Sequence, residues 1–507
     1  QNVRAISKHS SKTLRRRRAP HPPPIHDQVL DRRIDLGGID ELHPALNRPS
    51  TSGNRQPDPG VSAPARHAKR VGVIEKVEVS VRRDDEPGVD RPLPTRFARA
   101  DEQRFGAVER DPEVRWQHAR QNRPVTRVVM LGLDGFPHRA IGPELTPRLW
   151  DLARRGGRAP DGGVTDLPSS TDPGFCSLLT GCKPATHGVL TTSWRFASLP
   201  EWVGAQTPRV PTIFDTCRAV GIPTAAIVAD DRGLLCTGAA DRRWPPDGII
   251  PSGTALDAHG YPANAAVLPH LLAAVADSSL GFIFGHINEA DTMGHDFGPE
   301  SDAARACYRA TDQVVGVVLD ALASRWTDTV IVIVSDHDMQ SRDSSVPVDP
   351  MVNAADGGWD AYIPDGGSAL IHLKPGVDPE RAGAALLRVD GVETWVRAND
   401  SVLIAGLKPG RIAAAPRYST GGFHGAPITT RTVALVGGGD PAVRRIAGAI
   451  ATQRPHLADW APTIAPLLGV DLGHVDGTDL ALSDRGRRHQ PAPGQEIVNI
   501  PIGACQD

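Results

Sequence analysis

The sequence has 507 residues, of which 40% are hydrophobic and 23% charged, as is ordinary for a globular protein. Its net charge of −3 hides an asymmetry, because residues 1–125 hold 25 Lys and Arg against 17 Asp and Glu, whereas residues 126–507 hold 31 against 42. This acidic body argues against broad nucleic-acid binding, which needs clustered basic side chains to neutralise phosphates.

Residues 1–125 differ from the rest of the chain and are predicted to be a low-order extension rich in Arg and Pro. Such a segment buries too little apolar surface to offset its chain entropy. Because the first methionine is Met130, we expect the extension to be a mis-assigned start or the sequence to be a fragment, with the working protein starting near Val125. No signal peptide and no run of about 18 apolar residues is visible, so we expect a cytoplasmic protein without a membrane span.

From residue 126 the chain alternates between strand-like and helix-like segments. Predicted strands at 128–133, 224–228, 280–284 and 329–334 alternate with predicted helices at 146–155, 173–180, 212–220, 265–276 and 301–324, and a strand at 432–436 and a helix at 456–468 follow. This order predicts an α/β domain at 126–480, with a parallel-rich sheet between helices. Gly-, Asp- and Pro-rich loops at 341–420 predict an inserted cap-like subdomain, and residues 481–507 a loose tail.

Polar residues follow the predicted strands, far apart in sequence. They are Asp134; Thr171 at a helix start; Asp291 and His295; Asp336 and His337; and His424 in a glycine-flanked loop. Because the carboxyl ends of parallel strands lie at one edge of a sheet, these groups can meet. Three Asp, three His and a hydroxyl suit two adjacent divalent metals. The mixture of imidazole and carboxylate favours zinc, with manganese or iron as alternatives.

The motifs around these residues are Leu-Asp-Gly at 133–135, Thr-x-Pro at 171–173, Thr-Gly-x-x-Pro-x-x-His-Gly at 180–188, Glu-x-Asp-x-x-Gly-His-x-x-Gly-Pro at 289–299, Ser-Asp-His-x-Met at 335–339 and Phe-His-Gly at 423–425. This ordered set resembles the alkaline phosphatase superfamily. The similarity is closest to its type I phosphodiesterase/nucleotide pyrophosphatase branch, and phosphonoacetate hydrolase is a near relative. The resemblance covers about residues 126–480.

The resemblance implies a fold, a metal centre and a reaction. One metal would be held by Asp134, Thr171, Asp336 and His337, and a second by Asp291, His295 and His424. Thr171 would be the nucleophile and would form a phospho-threonine intermediate. The substrate would be a small phosphate ester, a nucleotide or a phosphonate. The sequence departs from the family pattern at Gly174, where an Asn usually stands three positions after the nucleophile.

Other interpretations stay open at this point. Thr171 alone is more typical of a helix N-cap, Asp291 and His295 could be a surface pair four residues apart, and His286 is expected to be a core or surface histidine. A phosphonoacetate hydrolase, a phosphomonoesterase or a metal-binding protein without activity would share the same ligands. A sulfatase is disfavoured because a convertible Cys or Ser is lacking at position 171. At its helix start, the Thr171 hydroxyl is expected to lie beside free backbone N–H groups.

Overall fold

The computed structural model describes residues 126–195, 198–230, 234–342, 346–413 and 421–482. The predictions for residues 1–125 and for the tail beyond residue 482 lie outside this part of the chain. The strands are β1 (Arg127–Leu133), β2 (Gly157–Arg158), β3 (Gly163–Val164), β4 (Thr224–Val228), β5 (Arg242–Trp244), β6 (Phe282–Ile287), β7 (Thr329–Val334), β8 (Gln340–Ser341), β9 (Val346–Pro347), β10 (Trp359–Asp365), β11 (Ser368–Leu373), β12 (Val392–Asn399), β13 (Val402–Leu407), β14 (Arg411–Ile412), β15 (Gly422–Phe423), β16 (Arg431–Thr432) and β17 (Ala434–Gly438).

The helices lie between these strands. They are α1 (Pro147–Arg155), α2 (Thr171–Thr180), α3 (Pro184–His187), α4 (Ile213–Ala219), α5 (Asn264–Ala276), α6 (Glu289–Phe297), α7 (Asp302–Ala321), α8 (Ala354–Gly357), α9 (Pro379–Leu386), α10 (Ala442–Thr452) and α11 (Trp460–Leu468). Among the described residues, no helix combines the length and the apolar character that a membrane crossing requires.

The central sheet has the strand order β2-β17-β7-β1-β6-β4-β5 in the described part of the chain. Its strands β7, β1, β6, β4 and β5 are mutually parallel. Every residue of β1, β6 and β7 is buried, which explains why these strands are continuous apolar runs. Leu271 of α5 lies against one face, beside Leu131, and Phe175 of α2 lies against the other, beside Gly132. The predicted parallel-rich sheet between helices is therefore confirmed.

The strand predicted at 432–436 is observed as β17, but it runs antiparallel to β7. A parallel strand needs a crossover that returns the chain from the carboxyl ends of the strands to their amino ends. Here the chain stays at the carboxyl edge after β7, where β8 pairs with β15. It enters β17 directly from that edge, so the reversed direction follows from the connection.

A second sheet, with antiparallel order β10-β11-β13-β12, lies within the stretch for which the sequence predicts an insertion. It has its own apolar cluster, which includes Trp359, Ile371, Leu386 and Leu403. The turn between β10 and β11 contacts the main domain, where the backbone N–H of Gly367 donates to the carbonyl of His424 at 2.8 Å. The second sheet thereby supports a loop that carries a predicted site residue.

Substitution of Gly132 tests how closely α2 must pack against the central sheet. A Cβ at this position would lie 2.5 Å from Cε1 of Phe175 and 3.3 Å from Cζ of Phe284. We expect Gly132→Ala to lower the free energy of unfolding by about 1–3 kcal/mol, because the overpacked helix must shift. Chemical denaturation measures this change.

The matched control is Gly448→Ala in α10, where a Cβ would meet no atom within 4 Å among the described residues. That substitution should stabilise the protein by about 0.5–1 kcal/mol, since Ala loses less conformational freedom in a helix than Gly. Equal effects of the two substitutions would contradict the close packing of α2 on β1.

Candidate active site

Three neighbouring strands bring three predicted carboxylates together. Asp134 directly follows β1, Asp336 comes two residues after β7, and Asp291 lies in the first turn of α6, just after β6. The backbone N–H of Asp134 donates to the carbonyl of Ile287 at 2.9 Å, which continues the pairing of β1 with β6. All three residues are buried, with exposed fractions of 1% for Asp134, 8% for Asp291 and 0% for Asp336. The sheet register therefore determines this cluster.

The three predicted histidines direct Nε2 toward the cluster, because Nδ1 of each is bound to a backbone carbonyl. His295 Nδ1 contacts the carbonyl of Gly422, His337 Nδ1 that of Asp338, and His424 Nδ1 that of Ser169, each at 3.1 Å. Because a carbonyl can only accept, each Nδ1 carries the proton and donates it. Each Nε2 then carries an unprotonated lone pair, which is the form in which imidazole binds a metal.

Several atoms that face the centre of this cluster are acceptors without a donor. Within the described residues, Asp291 Oδ1, Asp336 Oδ2 and His337 Nε2 are buried and have no hydrogen-bond partner. His337 Nε2 lies 3.2 Å from Asp336 Oδ2 and 3.6 Å from Asp134 Oδ1. Lone pairs this close repel each other unless a cation lies between them. The arrangement fits a metal centre.

The ligand atoms form two overlapping groups, each with all its atoms within 4.8 Å of one another. One is Asp134, Asp336 and His337, and the other is Asp291, His337 and His424. The first group contains three of the four residues that the family resemblance implies for one metal. In the second, His337 lies between the two groups, and His295 Nε2 lies 3.5 Å from Asp291 Oδ2. This set of nitrogen and oxygen donors suits zinc, manganese or iron.

The ionisation of the cluster reflects burial without compensating charge. Burial and the neighbouring Asp134 carboxylate raise the pKa of Asp291 and of Asp336 well above the ordinary value. Burial lowers the pKa of His337 to about 4 and that of His424 well below its usual range. His337 and His424 are therefore neutral at neutral pH, and a nearby cation would favour the ionised form of the carboxylates.

Thr171 lies at the edge of this cluster as the first residue of α2. Its Oγ1 is 3.5 Å from Asp134 Oδ1, and the residue is 9% exposed, as is His295. The N-cap position belongs to Ser170, so the interpretation of Thr171 as a helix cap is wrong. The hydroxyl instead lies where the buried carboxylates meet the surface.

The expectation of free backbone N–H groups beside Thr171 is also wrong for the next three residues. The N–H of Asp172 donates to Thr192 Oγ1 at 3.1 Å, and that of Gly174 donates to the carbonyl of Ser170 at 2.9 Å. Pro173 has no N–H to donate. The two N–H groups that follow Thr171 are thus committed to internal bonds.

Gly174, where the sequence departs from the family pattern, packs directly on a predicted ligand. A Cβ at position 174 would lie 2.9 Å from Cβ of Asp336 and 3.2 Å from its carbonyl oxygen. A larger residue would push the end of β7 away from α2. The absence of a side chain is therefore a packing requirement of this chain.

His286 belongs to the site, although its sequence context predicts only a core or surface histidine. It is fully buried in β6, opposite Gly132 in the register, and its Nε2 lies 2.9 Å from Asp134 Oδ2. A carboxylate only accepts, so Nε2 donates and Asp134 Oδ1 stays directed at Thr171 and His337. The ring also packs edge-on against Phe175, with centroids 4.9 Å apart. A single histidine in a buried apolar strand gives no sequence signal for this contact.

Asp365, at the end of β10, is a second residue beside the site that the sequence does not indicate. Its Oδ2 accepts from Thr191 Oγ1 at 2.6 Å and from Ser170 Oγ at 3.5 Å. Ser170 precedes Thr171, so this carboxylate links the second sheet to the start of α2. Burial raises the pKa of Asp365 to about 6, although the two hydroxyl donors oppose the shift.

We expect His286→Phe to weaken metal binding about 10- to 100-fold, because Asp134 loses the donor that orients it while the ring volume is kept. His286→Gln should retain most of the affinity, since its amide can donate from nearly the same place. Calorimetric titration of the chelator-treated proteins with zinc measures the zinc dissociation constant of each variant. His372→Phe is the control, because His372 contacts Asp360 outside the site. Unchanged affinity in His286→Phe would refute the orienting role.

Asp365 predicts a pH dependence of stability. Its folded pKa is raised from an ordinary value of 3.8 to about 6, so the folded state binds more protons than the unfolded state between these pH values. The stability contributed by this group is thus present below pH 4 and is lost as the pH rises through 6. Asp365→Asn cannot titrate at this position, so its stability does not fall in this way as the pH rises. Relative to wild type it should gain roughly 2–3 kcal/mol between pH 4 and pH 7 in urea denaturation, and parallel curves would exclude the raised pKa.

Comparison with known proteins places this site in a family. Residues 128–419 match the family described as type I phosphodiesterase/nucleotide pyrophosphatase. Human ectonucleotide pyrophosphatase/phosphodiesterase family member 7 is 25% identical over 243 residues, which are 43% of this chain and 48% of that protein. An uncharacterized pyrophosphatase/phosphodiesterase of Schizosaccharomyces pombe is 24% identical over 236 residues, 42% of this chain and 44% of that protein. The matches thus span about half the length of these relatives.

Solved structures with a similar fold include murine and human ectonucleotide pyrophosphatase/phosphodiesterase 5. The murine structure has a TM-score of 0.50 and 16% identity, covering 71% of this chain and 99% of that chain. The human structure has the same score and identity, covering 69% and 97%. The family match covers more than half of this sequence, and the fold agrees with it. The chain belongs to the type I phosphodiesterase/nucleotide pyrophosphatase family of the alkaline phosphatase superfamily.

Proposed function

We propose that this protein is a two-metal hydrolase that cleaves phosphodiester or phosphoanhydride bonds through a phospho-threonine intermediate. The observation that carries the proposal is the position of the Thr171 hydroxyl, 3.5 Å from Asp134 Oδ1 at the rim of a cluster of inward-facing acceptors. The names of the human and yeast relatives, both pyrophosphatase/phosphodiesterases, support the same reaction class.

Each ligand has a proposed place. Asp134, Thr171, Asp336 and His337 hold one divalent cation, and Asp291, His295 and His424 hold the other. Zinc is the proposed metal, with manganese or iron as alternatives. When bound, such cations polarise phosphoryl oxygens and lower the pKa of a coordinated hydroxyl.

The chain's own residues determine how the reaction proceeds. The Thr171 hydroxyl loses its proton to solvent, and its Oγ1–P bond forms while the P–O bond to the leaving group breaks, so that the leaving oxygen departs with the bonding electron pair and takes up a proton from solvent. Water then attacks the same phosphorus, breaks the Oγ1–P bond and restores the hydroxyl. Thr171 is held for this role from both sides, because Ser170 contacts Asp365 and the N–H of Asp172 donates to Thr192. Such positioning lowers the entropic part of the barrier.

Thr171 substitutions test the proposal. Thr171→Ala should lower turnover of bis-p-nitrophenyl phosphate by at least about a thousandfold, since the nucleophile is lost. It should retain the fold and most of the bound metal, measured by elemental analysis after zinc loading. Thr171→Ser should remain active, and rapid-quench mass spectrometry should detect a phosphoryl adduct at position 171.

The control is Thr180→Ala at the other end of α2, where the hydroxyl donates to the carbonyl of Cys176. This substitution should cost about 1 kcal/mol of stability and leave turnover unchanged. Full activity of Thr171→Ala, or of protein stripped of metal, would overturn the mechanism. A substrate panel that adds p-nitrophenyl phosphate, a dinucleotide and phosphonoacetate distinguishes the diesterase from a phosphomonoesterase or a phosphonoacetate hydrolase.

A further inference from the structure

An ion pair outside the metal-ligand cluster lies next to His337. Arg139, between β1 and α1, donates from Nη1 to both carboxylate oxygens of Asp338, at 2.7 and 2.5 Å. Its Nε donates to Glu300 Oε1 at 2.7 Å, on the segment that links α6 to α7. The side chain of Asp338 is 5% exposed and that of Arg139 is 39% exposed. We call Arg139 and Asp338 the Arg139–Asp338 pair.

The carboxylate of Asp338 holds the peptide unit that follows it. The N–H of Met339 donates to Asp338 Oδ1 at 2.7 Å, and the N–H of Asp338 donates to the carbonyl of Thr429 at 2.9 Å. The carbonyl of Asp338 belongs to the same peptide unit as the N–H of Met339. Because a peptide unit is planar, holding this N–H also determines the direction of that carbonyl.

The carbonyl of Asp338 in turn orients His337. It accepts from His337 Nδ1 at 3.1 Å, while His337 Nε2 lies 3.2 Å from Asp336 Oδ2. The ring of His337 is fully buried and stacks on that of His424, with centroids 3.9 Å apart. Stacking restrains the plane of the ring, whereas the bond to the carbonyl determines which nitrogen carries the proton and where Nε2 is directed.

We propose that Arg139 and Asp338 are positioning residues for the metal centre. The ion pair holds the peptide unit between Asp338 and Met339, and this unit directs His337 Nε2 toward the buried carboxylates. The inference rests on the proposed function, because that function makes His337 a metal ligand. Contacts of this kind, one step outside the ligands, fix the orientation of a metal-binding histidine and increase the affinity for the metal.

The direction of the effect separates positioning from simple electrostatics. Arg139 is a cation, so if only its charge mattered, its removal would strengthen the binding of a metal cation. If Arg139 positions His337 through Asp338, its removal weakens metal binding, because the imidazole loses its fixed direction. Arg139→Gln therefore gives opposite results under the two accounts.

Calorimetric titration with zinc measures the dissociation constants of chelator-treated wild type, Arg139→Gln, Arg139→Lys and the double variant Arg139→Gln/Asp338→Ala. Arg139→Gln should weaken zinc binding about tenfold, the scale of such outer contacts. Arg139→Lys should recover part of this loss, since an ammonium group keeps the ion pair but lacks the planar fork of donors. The double variant should also bind zinc about tenfold more weakly, although it removes one charge of each sign.

The visible absorption of cobalt-loaded protein gives a second readout, because the bands of Co²⁺ depend on the number and arrangement of its ligands. Arg139→Gln should change these bands relative to wild type. The matched control is Arg325→Gln, since Arg325 pairs with Asp328 just before β7, at the end of the strand opposite His337, and its side chain is 32% exposed. The zinc affinity and the cobalt spectrum of this control should equal those of wild type.

The outcomes distinguish this inference from the proposed function. Zinc binding by Arg139→Gln that equals or exceeds that of wild type would overturn the inference, as would weaker binding with an unchanged cobalt spectrum. Zinc-loaded wild type that is inactive on every substrate would contradict the proposed function, while the affinities would still test the positioning role. If Arg139→Gln does not fold, as judged by circular dichroism, the double variant decides the question, and an unchanged zinc affinity there overturns the inference.

Discussion

The central constraint on this protein is the burial of three carboxylates in one place. Asp134, Asp291 and Asp336 follow neighbouring strands of a parallel sheet, and strand register brings them to the same edge. Burying like charges is costly unless a cation or a proton compensates them. His337 Nε2 and Asp336 Oδ2, which lie 3.2 Å apart, also need a cation or a proton between them. Metal binding and folding are therefore expected to be linked in this domain.

Hydrogen bonds outside the cluster orient the residues around the carboxylates. Each of the three site histidines donates from Nδ1 to a backbone carbonyl, and Asp134 accepts from His286. Asp336 Oδ1 accepts from the backbone N–H of Gly135 at 3.1 Å. Outer contacts of this kind direct the remaining ligand atoms inward and limit the entropy that binding would otherwise lose. The geometry is a property of the folded chain itself.

Specificity and chemistry arise from different parts of the fold. The proposed ligands Asp134 and Asp336 lie at strand ends, whereas the surroundings of Thr171 come from the segment Thr191–Arg195 and the turn after β10. Ser193 Oγ donates to the carbonyl of Pro364 at 3.2 Å, and Thr192 Oγ1 accepts from the N–H of Asp172, so this segment joins the second sheet to α2. Because such loops can change without disturbing the sheet, relatives with the same ligands can differ in the charge and shape that they accept.

The sequence alone determines much of this protein. Continuous apolar runs correctly predict the strands at 224–228 and 329–334 with the bounds observed. The rule that parallel strands end at one edge predicts that Asp134, Asp291 and Asp336 meet. Periodicity and motif spacing are local properties, so they can be read without coordinates.

Only the tertiary structure decides the direction of β17, the roles of His286 and Arg195, and the commitment of the N–H groups next to Thr171. His286 and Asp134 are 152 residues apart, and their contact depends on the register of β6 against β1. Arg195 binds the carboxylates of Asp172 and Asp230, which lie on separate segments of the chain. Such contacts depend on packing between distant parts of the chain, where a side chain's partner is determined by position in space and no local pattern specifies it.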